Sequence, residues 1–242
     1  MTHAVHVYSG MTRTMMSGAA RGLGLAALLV SAAGCTVQLD GHAFIEREEK
    51  RFPAGEAPEI TLATFAGSIQ VRPWDKAEVL VEIEKRGSDK AAVDGIQVVA
   101  DGKDNRISVD VRKPASEKEF IGLGIHHSTS AKLIASVPRG SKLTVTTRDG
   151  AVVVRAERDT VMLEDWSVRT GDGSVVVELP EGFAAQIDAE TQDGTVRTDL
   201  PVSGASEGER RESRRTLRGT LGAGGKTLKL RTSDGSIRLR SS

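Results

Sequence analysis

Residues 147–154 read TRDGAVVV, and the chain returns to that phrase as TGDGSVVV at 170–177, TQDGTVRT at 191–198, TSDGSIRL at 232–239 and a looser TFAGSIQV at 64–71. The aligned glycines are Gly67, Gly150, Gly173, Gly194 and Gly235, at intervals of 83, 23, 21 and 41 residues. Taken as four, one, one and two units, these intervals are all close to 21 residues, the signature of a stacked repeat. The flanks repeat as well. Seven residues before each glycine stand Ile60, Leu143, Trp166, Ile187 and Leu228; three before stand Thr64, Thr147, Thr170, Thr191 and Thr232; two after stand Ile69, Val152, Val175, Val196 and Ile237. Apolar residues thus alternate with charged or small ones on both sides of a turn, the pattern of half-buried strands.

The turn has a local cause. Aspartate bonds its own neighbouring backbone, and glycine takes the positive φ of a tight turn. A second punctuation, FPAGE, VPRGS and LPEGF, places Pro53, Pro138 and Pro180 two residues before a glycine. Nothing sustains a capped 3.6-residue periodicity, so almost no helix is expected. Two all-β architectures fit. Each Asp-Gly closes a hairpin of an antiparallel sandwich or meander, or each 21-residue unit is one coil of a β-solenoid whose equivalent positions stack. In a stack that follows chain order, Ser174 and Thr195 sit on neighbouring strands.

The N-terminus speaks to location. Residues 1–34 hold Arg13 and Arg21, no acid, and an apolar run from Leu23 to Ala33. That run fits a signal peptide and is too short to span a membrane. Met1 and Met11 are alternative starts. The one cysteine, Cys35, follows SAAG directly, so no internal disulfide is available. Its placement resembles a lipobox, which implies cleavage before Cys35, lipid attachment there, and anchoring by more than one acyl chain. Thr36, rather than aspartate, implies the outer membrane in a host with two. The expected organisation is a signal peptide at 1–34, an anchor and short linker at 35–54, and a repeat domain at 55–242 with an extruded loop at 206–219.

The lipobox, the repeated T-x-D-G phrases, VPRGSKLTV at 137–145 and LRGTLGAGGKTLKLRTSDGSIRLRS at 217–241 together resemble the DUF4097 family. These are bacterial adhesin-like proteins related to the adhesin head domains called GIN. The resemblance covers roughly 55–242. It implies a β-solenoid and brings no catalytic residues.

Other chemistry finds little support. Of 242 residues, 33 are basic and 33 acidic, which leaves no footprint for nucleic acid. GTLGAGGKT at 219–227 misses phosphate-loop spacing and precedes a strand pattern rather than a helix. His126 and His127 are adjacent and would face opposite sides of a strand; His42 is distant. Asp149, Asp172, Asp193 and Asp234 could form a carboxylate column attractive to calcium, but the glycine-rich nonapeptide of calcium β-rolls is absent. The arginines 210, 211, 214 and 215 in SEGERRESRR are read as solvated. The outward positions Arg148, Gly171, Gln192 and Ser233 show no converging acids. Neither catalytic nor metal residues nor a cofactor are expected. The function expected is a non-catalytic envelope lipoprotein, an adhesin-like binding or scaffolding domain. It would be anchored to the membrane through Cys35 and engage an envelope or surface partner. The alternatives are an envelope stress or regulatory accessory protein and a polysaccharide-active β-helix enzyme.

Overall fold

A computed structural model describes residues 44–113, 129–158, 160, 162–204 and 215–242. In chain order the elements are β1 (Phe44–Pro53), β2 (Glu59–Ala66), β3 (Ile69–Trp74), β4 (Glu78–Gly87), α1 (Lys90–Asp94), β5 (Gln97–Lys103), β6 (Arg106–Arg112), β7 (Ser130–Pro138) and β8 (Lys142–Asp149). They continue with β9 (Val152–Arg155), β10 (Trp166–Asp172), β11 (Val175–Leu179), β12 (Ala185–Asp193), β13 (Val196–Thr198), β14 (Val202–Ser203), β15 (Thr216–Leu221), β16 (Thr227–Asp234) and β17 (Ile237–Ser241). Among the described residues α-helix is confined to the single turn of α1, capped by Asp89, whose side chain accepts from the Ala92 amide at 2.8 Å. The all-β expectation holds among the described residues.

The strands form two mixed sheets. One has eight strands in the order β1-β4-β7-β3-β9-β11-β17-β13; the other has nine, in the order β14-β15-β12-β16-β10-β8-β2-β6-β5. Every repeated phrase crosses from the nine-stranded sheet to the eight-stranded one: β2 to β3, β8 to β9, β10 to β11, β12 to β13 and β16 to β17. The two strands of a phrase therefore never pair with each other, and the hairpin reading of the Asp-Gly turns is wrong. The proline punctuations sit at the opposite corner. FPAGE, VPRGS and LPEGF return the chain from β1 to β2, β7 to β8 and β11 to β12.

Equivalent phrase positions lie side by side in parallel register. Thr64 pairs with Thr147, Thr147 with Thr170, Thr170 with Thr232 and Thr232 with Thr191. The order corrects the sequence reading, because the last phrase is inserted between the third and the fourth. Ser236 hence separates Ser174 from Thr195, with Val175 donating its amide to Ser236 and Ile237 donating to Thr195, both at 2.9 Å. The long intervals are not whole numbers of coils either. The 83-residue gap holds the antiparallel strands β4 and β5, and the 41-residue gap holds β14 and β15. β15 pairs antiparallel with the outer edge of β12. That covers the edge while β16 takes the other side, so β16 is paired along both edges. Residues 216–219, expected in an extruded loop, belong to β15, and residues 44–53, expected in a linker, form β1.

The alternating residues of both sheets meet in one core. Ile60, Leu62, Leu143, Val145, Trp166, Val168, Leu228 and Leu230 from one side join Ile69, Val71, Val152, Val154, Val175, Val177, Ile237 and Leu239 from the other. Trp166 donates its indole N–H to the Ser141 carbonyl at 2.9 Å and lies 5.9 Å from the Phe183 ring. A fully buried aliphatic side chain contributes about 1.5–3 kcal/mol, against about 0–1 for an exposed ion pair. The inner face therefore holds the stack, and the outer faces are free to carry something else.

Candidate functional site

The repeated residues are consumed by the stack itself. Thr147, Thr170, Thr191 and Thr232 are at most 4% exposed. Each donates its hydroxyl to a glycine carbonyl of the neighbouring rung: Thr147 to Gly67 at 3.1 Å, Thr170 to Gly150 at 2.9 Å, Thr232 to Gly173 at 3.0 Å and Thr191 to Gly235 at 2.9 Å. The glycines approach one another just as closely. A Cβ on Gly173, whose φ is +149°, would meet the Gly150 carbonyl oxygen at 2.2 Å. One on Gly235, at +143°, would meet that of Gly173 at 2.0 Å. The threonine of T-x-D-G thus supplies a hydroxyl between rungs, and the glycine stands where any side chain would meet the next rung's backbone.

The turn aspartates fall into the expected column, in the order Asp149, Asp172, Asp234, Asp193. Among the described residues, however, no three acidic, histidine or cysteine side chains converge in a way that would hold a metal ion. The amides of Gly67, Gly150, Gly173 and Gly235 donate to the backbone carbonyls of Asp149, Asp172, Asp234 and Asp193 at 2.6–2.9 Å. Cys35, His42, His126, His127, Arg210, Arg211 and Arg214 lie outside the described residues. Arg215 lies within them; its carbonyl accepts from the Thr191 amide at 2.9 Å and its guanidinium is 3.9 Å from Asp193. Lys226, in the rejected phosphate-loop segment, stands 3.4 Å from Glu164 at the start of β16.

What remains for function is the outer faces. On the eight-stranded sheet, a hollow of about 830 Å3 is lined by Arg72, Arg155, Glu157, Arg158 and Glu178 among others. Most of its charge is already matched. Glu178 accepts from Arg240 and, at 2.7 Å, from Arg155, and Arg72 reaches Ser136 at 2.9 Å and Glu82 at 3.3 Å. The Arg240 guanidinium, with help from Arg155, outweighs burial and holds the Glu178 carboxyl below the usual carboxylate range.

On the nine-stranded sheet, the position before each turn aspartate forms a row across the strands. It runs Phe65, Arg148, Gly171, Ser233, Gln192. The row below it runs Ala63, Thr146, Arg169, Arg231, Glu190. Gly171 is glycine because the Arg148 carbonyl oxygen would stand 2.6 Å from a Cβ there, and the missing side chain leaves a dip. The result is a basin of about 590 Å3 lined by Phe65, Arg148, Arg169, Gly171, Thr146 and Ser233, with Asp110 and Arg112 at its rim. Beyond it, Asp188 is held by Arg231 at 2.5 Å and by Arg218 at 3.2 Å. Burial pushes the Asp188 carboxyl up, and these two guanidiniums more than reverse the effect. Of the basin residues, Arg148, Gly171 and Ser233 were visible in sequence as outward positions. Phe65, Thr146 and Arg169 join them only when the phrases are aligned in spatial order.

Comparison with known proteins agrees with this geometry. Residues 139–240 match the family described as Toastrack DUF4097. Over that stretch the chain carries the DUF4097 pattern. Among solved structures, a "putative cell adhesion protein" from Clostridium sporogenes is 13% identical, with a TM-score of 0.52 over 82% of this chain and 100% of that one. At that identity the likeness shows a shared fold. A "putative adhesin" from Parabacteroides merdae is 10% identical over 63% of this chain and 60% of that one, with a TM-score of 0.31. A "putative lipid binding protein" from Parabacteroides distasonis is 9% identical over 81% and 96%, with a TM-score of 0.22. No curated protein matches the chain. No helix among the described residues is long and apolar enough to cross a membrane.

Proposed function

We propose that this chain is an exported envelope lipoprotein, anchored through Cys35, whose DUF4097 stack binds or spaces a partner without catalysis. One observation carries the reading. The repeated threonines and glycines are spent on holding rung to rung, so the repeat builds a stiff, solenoid-like scaffold whose outer faces vary freely. The adhesion wording attached to the Clostridium sporogenes protein of the same fold supports a surface role. Lipid on Cys35 would tether the scaffold, with Thr36 favouring an outer membrane where there are two.

The test is fractionation and intact mass. The wild type should partition with membranes and carry a diacylglyceryl group on an N-terminal Cys35, and Cys35→Ser should shift it to the soluble fraction. An unmodified chain beginning at Gly34 would refute the anchor.

A further inference from the structure

The basin on the nine-stranded sheet holds two arginines for which the described residues offer no carboxylate partner. Among its outward arginines, Arg106 stands 3.4 Å from Glu59, Arg112 is 2.7 Å from Asp110, and Arg218 and Arg231 share Asp188. Arg148 and Arg169 have no acidic partner among the described residues, and both line the basin. They lie on the adjacent strands β8 and β10, two residues out of register. Two guanidiniums on neighbouring strands repel each other, at a cost similar to what an opposite pair contributes. The other described outward arginines of this face, Arg106, Arg112, Arg215, Arg218 and Arg231, each stand within 4 Å of a carboxylate, which sets the two basin arginines apart from them.

We propose that Arg148 and Arg169 bind the carboxylates of an acidic polysaccharide laid across the rungs. The proposal rests on the binding-scaffold reading above and names the ligand class for it. Guanidinium is the side chain suited to carboxylate, because its paired N–H groups match the two oxygens. The surroundings fit a sugar chain. Thr146 and Ser233 offer hydroxyls, Gly171 leaves the dip, and Phe65 gives an apolar edge beside Arg148. Rungs spaced roughly 4.8 Å apart set the two guanidiniums and the neighbouring hydroxyls along a line that a linear polymer could follow. Thr61, Thr144 and Ser167 continue the hydroxyls along the next row inward. A membrane surface fits worse, since the basin is recessed and presents hydroxyls where insertion needs apolar side chains. Equal numbers of acidic and basic residues also give no general attraction to polyanions, so binding must be local to the basin.

The experiment uses the purified full chain titrated with polygalacturonate. Methyl-esterified polygalacturonate and dextran serve as neutral polymers, and phosphatidylglycerol vesicles as an anionic surface. Binding of polygalacturonate alone is expected. Arg148→Gln with Arg169→Gln should weaken it on the order of tenfold or more, and raising salt should weaken it further. The control is Arg197→Gln with Arg238→Gln, a register pair on the opposite sheet with the same change in charge, and it should bind as the wild type does. Equal loss in the control, equal binding of the methyl ester, or tighter binding to vesicles would overturn the proposal. So would a failure to bind polygalacturonate at all. Binding of the neutral polymers that is untouched by either double variant would overturn the basin while leaving the scaffold reading intact. Shortening of the polymer during the titration would overturn both.

Discussion

From β8 to β17, neighbouring rungs repeat one another, whereas from β1 to β4 they complement one another. In the parallel stack Thr147, Thr170, Thr232 and Thr191 stand side by side, so any residue placed at that position meets its own kind. A buried charge there would repel its copies, and the threonine position is accordingly an uncharged hydroxyl. The one repeated charge, the turn aspartate at 149, 172, 234 and 193, is exposed, where solvent and salt screen it. In the antiparallel β1–β4 pair, Arg47 stands opposite Glu84 and Glu46 opposite Lys85. Arg47 binds Glu84 at 2.8 Å, and Lys85 lies 3.0 Å from Glu48 and 3.4 Å from Glu46. β1 is also the edge of its sheet, where charged side chains deter pairing with another chain. Parallel register turns sequence identity into contact, and antiparallel register does not require it.

The largest effect that could break this comparison is all-or-none. Ser174→Cys with Ser236→Cys puts two cysteines on adjacent, in-register rungs roughly 4.8 Å apart, inside the span a disulfide bridges. Ser174→Cys with Thr195→Cys puts them two rungs apart, at roughly 10 Å, too far to bridge. With Cys35→Ser as background, mild oxidation and non-reducing peptide mass spectrometry should find the first bridge and not the second. The reverse result would restore a stack in chain order.

Next in size is the loss of close approach between glycines. Gly173→Ala places a methyl 2.2 Å from the Gly150 carbonyl oxygen at a φ of +149°. A clash with backbone plus a φ that L-residues avoid should cost about 3 kcal/mol or more. Gly182 has a positive φ of +80° but nothing within 4 Å of a Cβ, so Gly182→Ala should cost only about 1 kcal/mol. Urea midpoints of the two variants give the comparison. Equal losses would mean that backbone conformation, and not the packing of rung on rung, explains the repeated glycine.

These tests bear on what could be read from the residues alone. The inward positions were legible, since the same alternation recurs around each turn and the residues named from it, Ile60 to Ile237, are buried. The turn was legible as a turn, but its partner was not. Thr170 and Gly150 are joined by a hydrogen bond between rungs, and period-two patterning says nothing about which strand lies next door. The insertion of β16 between β10 and β12 was invisible for the same reason: any order of similar rungs gives each the same surroundings. The basin suffered from it too. Arg148 and Gly171 stood out as an outward row, but Arg169 becomes their neighbour only through the register of β8 with β10.

The smallest expected effect probes the complementary half, through acid. Burial pushes the Glu48 carboxyl up, and Lys85 and Lys50 more than offset this, holding it below its ordinary value of 4.5. Burial likewise lowers Lys85, and Glu48 and Glu46 bring it above its ordinary 10.5. A depressed carboxyl contributes stability that is fully present above its unfolded pKa and is lost as pH falls through the folded one. A raised ammonium contributes stability that is present below its unfolded pKa and is lost as pH rises through the folded one. Between these limits, at neutral pH, both contributions are complete. Glu48→Gln should therefore cost about 1 kcal/mol at pH 7, the range of a partly buried pair, and the penalty should shrink as pH drops below 4.5. Hydrogen exchange locates the effect. Amides paired between β1 and β4 should lose protection on acidification in the wild type more than those between β8 and β10, where no ion pair joins the two strands among the described residues. In Glu48→Gln that difference should narrow. Equal acid loss in both regions would mean that the charge ladder of β1 and β4 guards an edge without holding it, and that the core beneath both regions does the holding.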